Sequence, residues 1–166
     1  MDILARLIEI NPSVWGISLL LLNLFFLVAW TFDSREHARL KNLDISDKEL
    51  LTHRLILIPS LLMELSLVLM FWFPLIMLPF FIAFYLVRTV HEYIDESHFH
   101  VNRCSPREAY LHLVMWCTVH IKTWIMFIWG FFLQYDGLFS LHISILILYT
   151  FILVGLSIIT LIEFRR

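Results

Sequence analysis

The stretch Leu55-Ile-Leu-Ile-Pro-Ser-Leu-Leu-Met-Glu-Leu-Ser-Leu-Val-Leu-Met-Phe-Trp-Phe-Pro-Leu-Ile-Met-Leu-Pro-Phe-Phe-Ile-Ala-Phe-Tyr-Leu-Val87 decides how this chain folds. One charge, Glu64, and three prolines, Pro59, Pro74 and Pro79, interrupt an otherwise apolar run. The hydrocarbon core of a bilayer, about 30 Å thick, takes about 20 residues of helix. A single helix over this run would reach about 50 Å at roughly 1.5 Å per residue. The run therefore reads as a hairpin turning near Phe73-Pro74, since proline disrupts a helix interior but suits the first turn of a new helix. Its second arm continues into the polar sequence Arg88-Thr-Val-His-Glu-Tyr-Ile-Asp-Glu-Ser-His-Phe-His100, so the hairpin occupies residues 55–97.

Working outward, Val14–Phe32 is a first span entered through Asn11-Pro12-Ser13, whose side chains suit a helix cap. Ser105-Pro106-Arg107-Glu108 opens another helix that runs to about Leu133, and a last span covers about Phe139 to Ile162. The polar stretch Asp33–Thr52 suggests a short interfacial helix, with Asp44 or Ser46 capping the helix that follows. The expected fold is all-α and integral to the membrane. One bundle domain over residues 1–166 carries five transmembrane helices and the interfacial helix.

Composition agrees. Of 166 residues, 60% are hydrophobic and 16% charged, against roughly 45–50% and about 25% in soluble domains. The formal charge of −2 offers nothing to nucleic acid, and two cysteines without a CxxC exclude a disulfide framework or a thiolate zinc site. Five crossings place Arg35, Arg39, Lys41, Lys48, Arg54, Arg88, Arg103, Arg107, Arg165 and Arg166 on one face and Arg6 on the other, with Lys122 inside. The positive-inside rule then predicts an outside N-terminus and a cytoplasmic C-terminus, with a bacterial inner membrane as the expected location.

The residues able to do chemistry gather at the cytoplasmic helix ends. His91, Asp95 and His98 are spaced i, i+4 and i+7; Glu108 and His112, and likewise Asp33 and His37, are spaced i, i+4. Carboxylates with imidazoles suit iron, manganese or zinc, and helical bundles build two-metal sites from ligands projecting off facing helices. The expected metal ligands are His37, His91, Asp95, His98, Glu108 and His112, holding a transition-metal pair with iron in first place. Glu92 and Glu96 support the ligating rings. Against this stands a plain solvated rim of charges, and Cys104 reads as a free thiol. Deeper in the membrane, Glu64 and His120 are the candidate catalytic residues, Glu64 pairing with His120 or Lys122.

These residues predict a metal-dependent oxidoreductase acting on a lipid or other hydrophobic substrate at the cytoplasmic face, with a redox partner or a second copy of the chain as its protein contact. The alternatives are a haem- or quinone-linked electron-transfer subunit, with His91 and His112 or His120 as axial ligands, and a non-enzymatic transport or complex subunit. No HExxH, GxSxG or phosphate-binding glycine loop occurs. In the type and location of its ligands the layout resembles membrane fatty-acid hydroxylases and desaturases. Their repeated HxxxH and HxxHH motifs are absent, so the resemblance transfers no residue roles.

Overall fold

The computed structural model describes residues 3–39, 46–101, 103–135 and 137–164, and among these the side chains at 4, 37–39, 137 and 138 lie outside the description. The described residues form helices and no strand. A short α1 (Ile3–Ile8) leads into α2 (Pro12–Arg39), then α3 (Asp47–Met70), α4 (Pro74–Ile94), α5 (Pro106–Phe127) and α6 (Ile143–Phe164). Wider π-helical turns continue α4 over Asp95–His100 and α5 over Ile128–Leu133. Five helices are long and apolar enough to cross a membrane: Pro12–Glu36, Asp47–Met70, Pro74–His100, Pro106–Leu133 and Ile143–Phe164. This is an all-α membrane architecture.

The hairpin closes where the prolines allow. Phe71 to Phe73 turn the chain, and Pro74 starts α4 at a position whose missing N–H costs nothing. Ser46 caps α3, its hydroxyl accepting from the Glu49 N–H at 3.2 Å, while Asp44 lies outside the described residues. Within Asp33–Thr52, residues 33–39 prolong α2 and residues 47–52 open α3. Residues 40–45, where the sequence suggests an interfacial helix, lie outside the described residues.

Helix α3 packs chiefly on α4, while α2 packs on α5 and on α6. The tightest packing lies toward the hairpin turn, where Trp129, Met63, Leu67 and Met70 are fully enclosed. Phe71 meets the Trp129 ring edge-on, with centroids 5.0 Å apart. Gly130 lets α5 approach α3 there: a Cβ at this position would stand 3.3 Å from the Phe71 ring and 3.4 Å from the Leu67 carbonyl oxygen. In a bilayer such a core is held by dispersion and close fit, because lipid tails are as apolar as the side chains they replace. Leu21 and Phe25 of α2, Phe80 and Leu86 of α4, and Phe151 and Leu161 of α6 remain exposed on the outside, as lipid-facing residues should.

Candidate metal centre

The end of the bundle opposite the hairpin turn is polar, and a local change of helix geometry organises it. An α-helix places Asp95 and His98 on one face; over Asp95–His100 the chain instead takes a π-helical turn. With bonds from i to i+5, that turn puts His100 on the face of Asp95 and leaves His98 exposed. His100 Nδ1 stands 3.4 Å from Asp95 Oδ2, and both residues are buried. From α3, His53 Nε2 approaches the same carboxylate oxygen at 3.6 Å. The turn ends as the Arg103 and Cys104 N–H groups donate to the His100 carbonyl, each at 3.0 Å.

Ser105 then caps α5 through a reciprocal box. The Glu108 N–H donates to Ser105 Oγ at 3.2 Å and the Ser105 N–H to Glu108 Oε2 at 3.3 Å. This fixes the first turn of α5 and aims His112, one turn on, at the same place. His112 is held between two carboxylates, Nε2 at 2.9 Å from Asp33 Oδ1 of α2 and Nδ1 at 2.6 Å from Glu96 Oε1. The His112 and His100 rings lie 5.0 Å apart, and His100 and His53 6.1 Å apart. Three imidazoles from three helical segments thus form a row.

Along that row lie three groups whose ligand atoms stand within 4.8 Å of one another: Glu49, His53 and His100; His100, Cys104 and His112; and Asp33, Glu108 and His112. Successive groups share an imidazole, and an imidazole has two nitrogens to offer. Bonds of about 2.0–2.3 Å hold His nitrogen and Cys sulfur to a transition ion, so a modest inward shift closes any of these groups on one. Cys104 sits beside three acids. Burial first, and then Glu108, Glu96 and Asp33, push its thiol up to about 12. Glu49 also pairs with Arg103, which ties the loop to α3.

Of the expected ligands, Glu108 and His112 share one group, Glu108 also serving its cap, while Asp95 lies beside His53 and His100 but in none of the three groups. His98 is exposed. His91 turns back on its own helix, its Nδ1 meeting the Val87 carbonyl at 2.7 Å. Neither belongs to the three groups: the π turn leaves His98 facing outward, and His91 lies before that turn, bonded to its own helix. The His37 side chain lies outside the described residues. Spacing read as α-helical singles out Asp33 beside His37 without making it a ligand, and misses His53, His100, Glu49 and Cys104. The separation of five from Asp95 to His100 is the signal for one of them, and reflection of α3 about the hairpin turn is the signal for His53.

A cavity of about 400 Å³ runs inward from this row. Asp33, His53, Asp95, Glu96, His100 and His112 line its polar end, and Glu64 and Lys122 its deep end. Its walls carry apolar side chains, among them Ile56, Leu57, Leu113, Met115 and Trp116. Glu64 pairs with Lys122, whose Nζ also donates to Asn23 Oδ1 at 3.2 Å; Asn23 Nδ2 in turn donates to the Tyr149 hydroxyl at 2.9 Å. One chain of polar contacts therefore joins α3, α5, α2 and α6. His120 takes no part in it: its Nδ1 meets the Trp116 carbonyl at 2.9 Å, its ring packs on Tyr85 and Trp116, and it does not line the cavity.

Chemically, the arrangement offers nitrogen, oxygen and sulfur donors at the mouth of an apolar-walled space large enough for part of a lipid chain. Comparison with family models, with curated proteins and with solved structures finds no match.

Proposed function

We propose that this chain is a small membrane metalloprotein whose His–carboxylate row holds transition-metal ions at the cytoplasmic face. There it serves as an oxidoreductase on a lipid or other hydrophobic substrate. The observation that carries the reading is the row of overlapping ligand groups, Glu49–His53–His100, His100–Cys104–His112 and Asp33–Glu108–His112, set at the polar end of the cavity. A solvated rim would spread its charges outward. Here Asp33, Glu49, Asp95, His100 and Glu108 are buried, with His100 retaining 5% of its exposure and Glu108 3%.

In this reading His100 and His112 are the central ligands, Asp33, Glu108, Glu49 and His53 complete the outer groups, and Asp95 and Glu96 orient the rings. The ions supply activation of oxygen or water. The chain positions the substrate tail in the cavity, and Glu64 with Lys122 forms the polar floor on which that tail ends. Iron in a pair fits the oxygen-rich end of the row, while Cys104 beside two imidazoles favours a softer ion at the centre. Carboxylates pressed against the imidazoles favour ions over haem.

Elemental analysis of protein purified without added metal tests the reading. Stoichiometric transition metal is expected, lost in His100→Ala and His112→Ala and retained in His98→Ala. A metal-free wild type that stays metal-free after dialysis against iron, zinc or manganese ends the proposal.

A further inference from the structure

The bundle is built as two layers. Helices α3 and α4 pack on each other as the hairpin, and α2 packs on α5 and α6. Near the hairpin turn aromatic rings press the layers together, Phe71 on Trp129 at 5.0 Å and Phe81 on Phe127 at 5.1 Å between centroids. Toward the other end the cavity lies between them, and polar pairs cross it. Glu96 of the π turn meets His112 of α5, and Glu64 of α3 meets Lys122 of α5.

Sorted by layer, the three ligand groups are not equivalent. Glu49, His53 and His100 all belong to the hairpin layer, and Asp33, Glu108 and His112 all belong to the α2–α5 layer. An ion in either group ties a layer to itself. Of the three, only the central group crosses: His100 ends the hairpin layer, His112 stands on α5, and Cys104 lies in the loop between them. Its donors differ as well. Each outer group includes a carboxylate, whereas the central one offers a sulfur and two imidazole nitrogens. That softer set suits zinc better than manganese or iron with oxygen ligands. Glu96 Oε1, 2.6 Å from His112 Nδ1 and 4.0 Å from His100 Nδ1, is near enough to both rings to supply the fourth donor of a closed tetrahedral site.

We propose that zinc bound by His100, Cys104 and His112 is a structural clasp holding the two layers together across the cavity mouth, and that the redox ions of the row occupy the outer groups. This rests on the metalloprotein reading and divides the row by task. The loop joins the layers covalently, but an ion held by both rings fixes their separation and so sets the width of the cavity's polar opening. Each ring keeps its second nitrogen for an outer ion. Zinc suits the task because it has no redox chemistry: the clasp stays shut while the outer ions change oxidation state.

The test is titration of the purified, chelator-stripped full chain in detergent with zinc and with cobalt(II), which takes zinc sites and reports its ligands by absorption. Cobalt should give a thiolate-to-metal charge-transfer band at one equivalent per chain, displaced by zinc and missing in Cys104→Ser. Zinc affinity should fall at least about a hundredfold in that variant, since losing a mere supporting residue already costs about 10–100-fold. Amide exchange read by mass spectrometry should slow on both sides of the mouth, over Asp95–His100 and over residues 106–112, when zinc is added to wild type. His53→Gln should lose metal from its outer group and keep the cobalt–thiolate band. If Cys104→Ser does not fold, the band and the exchange on wild type decide. Metal bound without a thiolate band, a band that survives Cys104→Ser, or exchange slowed on one side only overturns the clasp and leaves the metalloprotein reading standing. A chain that takes up no metal overturns both.

Discussion

Removing one member of the Glu64–Lys122 pair should be costly, and the two removals should not cost the same. The Lys122 side chain retains 6% of its exposure and that of Glu64 31%, because Glu64 faces the cavity. In Glu64→Gln the ammonium stays buried, left with Asn23 Oδ1 at 3.2 Å and the Phe26 ring at 5.3 Å. An unpaired charge within a span costs about 2.5–3.5 kcal/mol on insertion scales, and a cation–π contact returns about 0.5–1 kcal/mol. A loss of about 2 kcal/mol is therefore expected. In Lys122→Met the stranded carboxylate can hydrate through the cavity, and the loss should be nearer about 1 kcal/mol. The double variant should be more stable than the sum of the two losses implies, since neither charge remains to be stranded. Unfolding by sodium dodecyl sulfate in mixed micelles, followed by tryptophan fluorescence, measures all three. Single losses within about 0.5 kcal/mol of zero, adding without coupling, would refute the pairing. A dearer Lys122→Met would show that water does not reach Glu64.

In the metal-free protein the Cys104 thiol, pushed up to about 12 by burial and by Glu108, Glu96 and Asp33, should react with iodoacetamide at pH 8 at least about a hundredfold more slowly than an ordinary thiol, because the thiolate is the nucleophile; mass spectrometry of a time course reads this. The same shift carries a sign. Between pH 9 and the folded value the unfolded thiol has lost its proton and the folded one has not, so stability contributed by this group falls as pH rises, visible as a lower unfolding midpoint in wild type than in Cys104→Ser over that window. Gln134 closes the π turn of α5 with φ 42°, a left-handed conformation that favours glycine, so Gln134→Gly should leave stability unchanged or raise it by up to about 1 kcal/mol in thermal unfolding. An alkaline phosphatase fusion at Arg166 should be inactive in bacterial cells; an active one reverses the orientation argued from the lysine and arginine distribution.

The spans were legible because a bilayer imposes a length and a polarity that few alternatives satisfy. The run Leu55–Val87 is too long for one crossing, and the structure turns it at Phe71–Phe73 with Pro74 opening the second arm. Ser105 and Glu108 announce their capping box in four residues. Glu64 demanded a partner, and Lys122 supplies it. Most of the polar row resisted reading for two physical reasons. Side-chain direction was inferred from α-helical spacing, and a single π turn invalidates that spacing for everything after Asp95. Asp33 reaches His112 only because α2 packs on α5, and no periodicity within one helix encodes which face of another it will meet.

That π turn has a further consequence. A helix wound with bonds from i to i+5 behaves as though it carried one residue more than its α-helical neighbours require. Ser97 is an exposed residue within it, its hydroxyl donating back to the Tyr93 carbonyl at 2.6 Å. Rewound as α-helix with every residue kept, the segment would carry His100 and the loop behind it round the axis by about 100°, the rotation of a single residue, and the row would be gone. Loss of one residue within the turn would instead leave His100 at i+4 from Asp95, still on the same face. The wide turn is therefore how this helix holds a surplus residue while the side chains on either side of it keep their places.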